Sequence, residues 1–194
     1  MASPPKSGRP RDADRERQLL VATLDLLAEV GYDRLTIEAV ASHCGAGKTT
    51  LYRRWPGKTE LVADAVALFH ADAAVPDTGD LRTDLLMSAS TWHTADTRRD
   101  AVVAGLLTAM ARDPELRETV RAAVADPGNA VFDQVVAQAR ARGEVTAEVD
   151  TEVLACVLPA MVFHQITVRS GPVDRTLMET IVDQVIRPAL TRPA

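Results

Sequence analysis

Residues 36 to 61, TIEAVASHCGAGKTTLYRRWPGKTEL, leave room for little besides two short helices joined by a tight turn. Thr36 is placed to cap the first helix, and Ile37, Val40 and Ala41 recur at helical spacing to give it one apolar side. Gly45-Ala46-Gly47 supplies the turn. In the second helix Leu51 and Trp55 stand at i and i+4 and share a face that buries. Lys48, Thr49, Tyr52 and Arg53 fall on another face, where hydrogen-bond donors and a flat aromatic point outward. Pro56-Gly57 then ends the helix. A short helix held down along a Leu/Trp edge and presenting Lys, Thr, Tyr and Arg is a shape that a DNA major groove accepts.

Gly47-Lys48-Thr49 imitates the end of a phosphate-binding loop, but the glycine required five residues upstream is Ser42. A P-loop also needs a strand to aim it, and the preceding stretch has helical spacing. Nucleotide binding is set aside on both grounds.

Charge is unevenly spread. The whole chain carries −5, yet residues 1–62 hold ten Lys and Arg against eight Asp and Glu, and residues 63–194 hold twelve against nineteen. All three lysines, Lys6, Lys48 and Lys58, lie in the first part. Phosphate binding needs a local cationic surface rather than a basic whole protein. The asymmetry fits an N-terminal DNA module on an acidic remainder.

The rest of the chain predicts an all-α fold. Aromatics are 4% and hydrophobics 46%, a balance that favours packed helices over a sheet. Residues 1–13, with Pro4, Pro5, Gly8, Pro10, Lys6, Arg9 and Arg11, read as a flexible basic arm: a solubilising tail, or an arm for the neighbouring minor groove. A first helix is expected over 14–30, with Leu20, Leu24, Leu27 and Val30 inward and Gly31 as its C-terminal cap. A fourth follows Gly57, with Glu60 completing half of a capping box, and links the DNA-binding domain, 14–62, to a larger helical domain, 63–194.

Within the larger domain helices are expected over 80–94, 99–112 and 113–124, the last opened by Asp113-Pro114. A break at Asp126-Pro127-Gly128 and a helix over 129–142 follow. The helix over 150–168 is unusually apolar, with Pro159 expected to kink it. The helix over 174–190 carries two adjacent rows, Leu177/Ile181/Val185 and Met178/Val182/Ile186, more apolar surface than one core needs. Burial against a second copy would use the surplus, so Val157, Met161, Leu177, Met178, Ile181, Val182, Val185 and Ile186 are the expected dimer interface.

No apolar run reaches bilayer length and no signal peptide is visible, which points to a cytoplasmic protein with no membrane partner. Cys44 and Cys156 read as reduced thiols. His43, His70, His93 and His164 form no tight ligand cluster with Cys156, so no metal or cofactor is expected, and no nucleophile–base–acid set points to an enzyme. Trp92, His93, Met110, Phe132, Met161, Phe163 and His164 concentrate large adaptable groups in an aromatic-poor chain and are the expected lining of a ligand pocket.

The run from Thr36 to Leu61, with Gly31 five residues before it, resembles the TetR family of bacterial one-component repressors. The resemblance covers roughly residues 14–62. It implies a three-helix helix-turn-helix domain, a larger ligand-binding domain and a homodimer built on the last two helices. It also implies that Thr36, Tyr52 and Lys58 meet DNA phosphate, and that Lys48, Thr49, Thr50 and Arg53 meet bases or backbone. Gly47 departs from the serine common there, and Thr49 from a small residue, which bears on base preference. The expected function is a repressor of a palindromic double-stranded operator, released by a small, mostly apolar effector. The alternative is a helix-turn-helix regulator under protein-partner or constitutive control.

Overall fold

The computed structural model describes residues 9–70, 74–92 and 97–192. The first helix, α1 (Arg9–Arg34), starts five residues before its expected position, with Pro10 in the first turn, where a missing N–H is harmless. Residues 1–8 of the expected arm lie outside the described residues. Leu19, Leu20, Leu24 and Leu27 form the buried stripe of α1. At Gly31 the backbone takes φ 76°, a left-handed angle that suits glycine, and the regular helix stops there.

Then come α2 (Ile37–His43), α3 (Lys48–Arg54) and α4 (Lys58–Ala67). Thr36 Oγ1 caps α2 by accepting from the Ala39 amide at 3.1 Å. The turn to α3 closes with Gly45 at φ 58° and the Ala46 amide donating to Ala41 O at 2.8 Å. After α4, a 3₁₀ turn at Leu68–His70 precedes α5 (Leu81–Ala89), whose cap is Asp80, and α6 (Thr97–Met110).

Two cores result, and they do not divide at residue 62. The first gathers α1 to α4 together with Val102, Leu106 and Ala109 of α6 and Leu116 and Val120 of α7 (Pro114–Val120). Arg98–Asp25 and Arg112–Asp33 ion pairs run along the α1–α6 seam. The second core joins α5 to α8 (Asp126–Ala141) and to the last helices.

The break expected at Asp126-Pro127-Gly128 is absent. A π-helical turn, Arg121–Ala125, carries α7 straight into α8, and the Asp126 amide bonds to Arg121 O. Proline has no N–H and crowds the carbonyl four residues back; widening the preceding turn by one residue relieves both problems. The last helix uses the same device. Between α11 (Arg175–Ile181) and α12 (Arg187–Thr191) lies a π turn, Val182–Ile186, two residues ahead of Pro188.

That turn changes which side chains of the last helix the single chain leaves open. An extra residue shifts the helical phase by roughly 100°, so Ile186 and Leu190 face inward and Val185 outward. Met178, Ile181, Val182 and Ile186 are only 1–3% exposed and belong to the chain's own core. Val157 and Leu177 are half-buried, and Met161 and Val185 stay open.

Against the second core runs a nearly continuous rod of α9 (Thr151–Ala155), α10 (Val157–His164) and a π turn at Gln165–Arg169. Its irregular point is Cys156, whose amide bonds to Val153 O at 3.2 Å. Pro159 leaves the neighbouring Ala155 carbonyl without its helical donor, so the expected kink sits there. Contrary to the expectation that no stretch reaches bilayer length, Thr151–Arg169 is 19 residues long with mean hydropathy 1.5, and only 11% of it is buried.

One polar strap fixes the start of α5. Arg142 bridges Asp77, Asp84 and Glu144 at 2.8, 3.0 and 2.6 Å. Burial opposes ionisation of Asp84, but hydrogen bonds from the Thr78 hydroxyl and amide and from Arg142 outweigh it and hold its pKa below the ordinary value. A carboxyl with a lowered folded pKa stabilises the fold above its unfolded pKa and stops doing so as pH falls through the folded value. Arg142→Ala should therefore lower the melting temperature at pH 7, with the gap closing below about pH 4. A gap independent of pH would show the strap to be sterically, not electrostatically, important.

Candidate nucleic-acid interface and effector cavity

The second short helix, α3, is fixed from below and open above. Leu51 is fully buried, and Trp55, at the helix end, is 2% exposed with its indole N–H donating to Asp64 Oδ2 of α4 at 2.8 Å. Lys48, Thr49, Thr50, Tyr52 and Arg53 are all exposed. Arg15 of α1 reaches across to donate to Cys44 O at 2.7 Å, and Arg54 pairs with Glu16, so α1 braces the turn and the end of α3.

Three of the expected contact residues have partners already. Thr36 Oγ1 is engaged as the α2 cap. Lys58 opens α4, with its Nζ 4.2 Å from the centre of the Tyr32 ring and donating to Tyr32 O at 2.9 Å. An ammonium has three donors, so two remain. Tyr52 donates its phenol proton to Glu38 Oε1 at 3.0 Å, which raises the tyrosine pKa. The Glu38 pKa is lowered by its backbone hydrogen bond and by Tyr52. Sequence reasoning missed Glu38. The residue is the second of α2, in its first turn, where a carboxylate ordinarily signals only the helix N-terminus.

At the other end of α4 lies a cavity of about 540 Å³. It opens among α5, the α7–α8 junction and the α9–α10 rod. Trp92, Met110, Phe132 and Phe163 line it as expected. Trp92 is central, with the His70 ring 5.0 Å and the Phe163 ring 5.9 Å from it, centre to centre. Met161 and His164 do not line it; both sit on the outer side of the rod, away from Phe163. His93 lies outside the described residues.

The lining residue that sequence reasoning overlooked is His70. It ends the 3₁₀ turn after α4, beyond the reach of the helical repeat that marks the rest of α4. Burial, and then the charge of Arg99, push its pKa down to about 4. Arg99 is itself 6% exposed and stacks on Phe69 and Trp92 at 4.8 and 5.6 Å. Cys156 also lines the cavity, whereas Cys44 is half-buried, and burial raises its thiol pKa. No three His, Cys, Asp or Glu residues converge for a metal among the described residues.

With this geometry in view, the comparisons with known proteins are decisive. The profile of bacterial regulatory proteins of the tetR family matches residues 19–65, and that of the tetracyclin repressor-like C-terminal domain matches residues 75–185. The chain belongs to the TetR family. This TetR-family regulator is 36% identical to a DNA-binding transcriptional repressor TetR of Mycobacteroides abscessus, over 94% of its own length and 97% of that protein. It is 35% identical to an uncharacterized HTH-type transcriptional regulator of Mycobacterium tuberculosis, covering 95% and 94% of the two chains. Among solved structures, the TetR family transcription regulator SCO0332 superimposes with a TM-score of 0.70 at 30% identity, over 89% of this chain and 97% of that one.

The profiles meet between residues 65 and 75, close to the end of α4. The physical cores do not respect that line, since α6 and α7 pack into the N-terminal core. The helix-turn-helix therefore rests on part of the domain that carries the cavity.

Proposed function

We propose that this protein is a dimeric cytoplasmic repressor that binds a palindromic operator through α3 and is released when a small, mostly apolar molecule fills the cavity. The observation that carries the reading is the course of α4. Lys58, its first residue, stands beside α3, and His70, just past its last, lines the cavity. A ligand that prefers one position of His70 would bias the position of Lys58 and α3. A preference of 1–3 kcal/mol between the two arrangements would change operator affinity about 5–150-fold.

In this reading Thr36, Tyr52 and Lys58 hold phosphates while Lys48, Thr49, Thr50 and Arg53 approach base edges. Lys58→Ala should weaken all DNA sequences alike and lower the slope of log K against log salt by about 1. Arg53→Ala, by contrast, should relax preference at one base pair. A salt titration on operator and scrambled DNA distinguishes the two, and no effect of either variant would remove α3 from the interface.

The dimer is supported by surface that one chain leaves uncovered. Val153, Met161 and Val168 of the rod and Val185 of the last helix are 42–68% exposed, with Val157 and Leu177 half-buried among them. Apolar residues so grouped on a chain with an otherwise packed core mark a contact with another surface. A second copy is the occupant proposed here, and it accounts for the apolar rod without a membrane. Fluorescence anisotropy on the DNA flanking the coding region, at protein concentrations where sedimentation reports dimer, tests the whole reading. Tight binding to a palindromic segment is the expected result, and binding that ignores sequence would overturn it.

A further inference from the structure

The effector cavity carries more information than its apolar walls. None of the described residues lining it is Asp or Glu, so no carboxylate waits for a cationic ligand. Of the aromatic faces in the lining, that of Trp92 already carries a cation, because Arg99 stacks on it at 5.6 Å. Arg117 and Arg121 stand on the exposed side of the lining, and Arg121 is paired with Glu118 and Asp126. The other polar side chains of the lining are Ser88 and Thr91, whose hydroxyls already donate to backbone carbonyls, Asn129, and His70, whose ring lies against Trp92.

The hydrogen bonds around His70 fix which ring nitrogen carries the proton. Thr91 Oγ1 lies 3.2 Å from Ser88 O and 3.3 Å from His70 Nδ1. A carbonyl oxygen only accepts, so the single hydroxyl proton of Thr91 points at Ser88. Thr91 Oγ1 must then accept from His70, which places the ring proton on Nδ1. Burial and the Arg99 charge keep the pKa near 4, so at neutral pH no second proton is present. Nε2 is left as a bare acceptor in a cavity wall, with no hydrogen-bond partner among the described residues.

An unfilled acceptor in apolar surroundings favours a ligand that brings a donor. We infer that the effector is an uncharged, ring-bearing apolar molecule with one hydroxyl donor, which it places on His70 Nε2 against the Trp92 and Phe163 rings. This rests on the cavity being the effector site, and it adds the chemistry that the site selects. A hydroxyl seated on His70 would also act directly on the turn that ends α4.

The probes are 4-phenylphenol and its methyl ether, which share an apolar body and differ in one donor. Titration into the wild-type dimer, followed by calorimetry and by release of fluorescent operator DNA, should show the phenol binding about tenfold tighter than the ether, the worth of one neutral hydrogen bond. His70→Phe keeps a ring but no acceptor, and should bring the two probes within about twofold of each other. Thr91→Val leaves the imidazole in place and frees its tautomer; the ring can then turn donor, and the preference should shift toward the ether. Equal affinity of the two probes for wild type would overturn the hydroxyl requirement and leave the cavity reading standing. Binding by neither probe would overturn both. A preference that survives in His70→Phe and in Thr91→Val would place the donor's partner elsewhere and refute the assignment to His70.

Discussion

Trp55→Ala should cost about 3–5 kcal/mol of folding stability, the range for truncating a large buried aromatic. Trp55 is 2% exposed at the junction of α3 and α4. Its amide closes the end of α3 on Leu51 O at 2.8 Å, and its indole reaches Asp64 of α4 at 2.8 Å. Truncation leaves a cavity and removes the partner of Asp64 together, so the loss belongs in the upper part of that range. Trp55→Phe retains most of the packing and deletes only the indole donor, for which about 1–3 kcal/mol is expected. Guanidinium unfolding of the two variants separates packing from the hydrogen bond. If alanine costs no more than phenylalanine, α3 is not held by the indole packing described here.

The second large effect concerns assembly. Replacing Met161 and Val185 together by arginine should give a monomer by sedimentation. Operator affinity should fall by about 10²–10⁴-fold, the gain that linking two binding modules confers. Affinity for a single half-site should be unchanged. Both side chains are more than 40% exposed in the single chain, so arginine there leaves the chain's own core intact. Ile181→Arg is the contrasting control: at 1% exposure it places a charge in the core and should unfold the protein instead. A Met161/Val185 double variant that remains a dimer would move the interface to another face.

The helix-turn-helix was legible because its determinants are local. Thr36, Gly45, Leu51 and Trp55 act through a cap, a left-handed turn and an i, i+4 pair, and each is visible within a few residues of sequence. The cavity was legible only in part, because its walls converge from α5, α7–α8 and α9–α10. Phe163, Met161 and His164 are near neighbours in sequence, yet only Phe163 faces inward. Composition cannot make that distinction. Val185 shared an expected row with Leu177 and Ile181 because an uninterrupted helical repeat puts all three on one face. The π turn that removes it leaves no periodic trace, and its one clue is Pro188 two residues beyond. His70 was invisible for a similar reason, since the 3₁₀ turn that carries it departs from the α-helical repeat.

The wide turn at Val182–Ile186 has a bearing on how relatives of this chain are compared. It acts as a slack link: taking up its extra residue would rotate everything beyond it by roughly 100° and draw it in by about 1.5 Å. Two homologous final helices, one with the link and one without, would thus present different edges to their partners while sharing almost every side chain. Correspondence between them has to be counted afresh from Arg187, with a gap of one residue at the turn. A straight alignment through it would equate the inward Leu190 of this protein with a neighbour's outward residue and misassign the subunit contact.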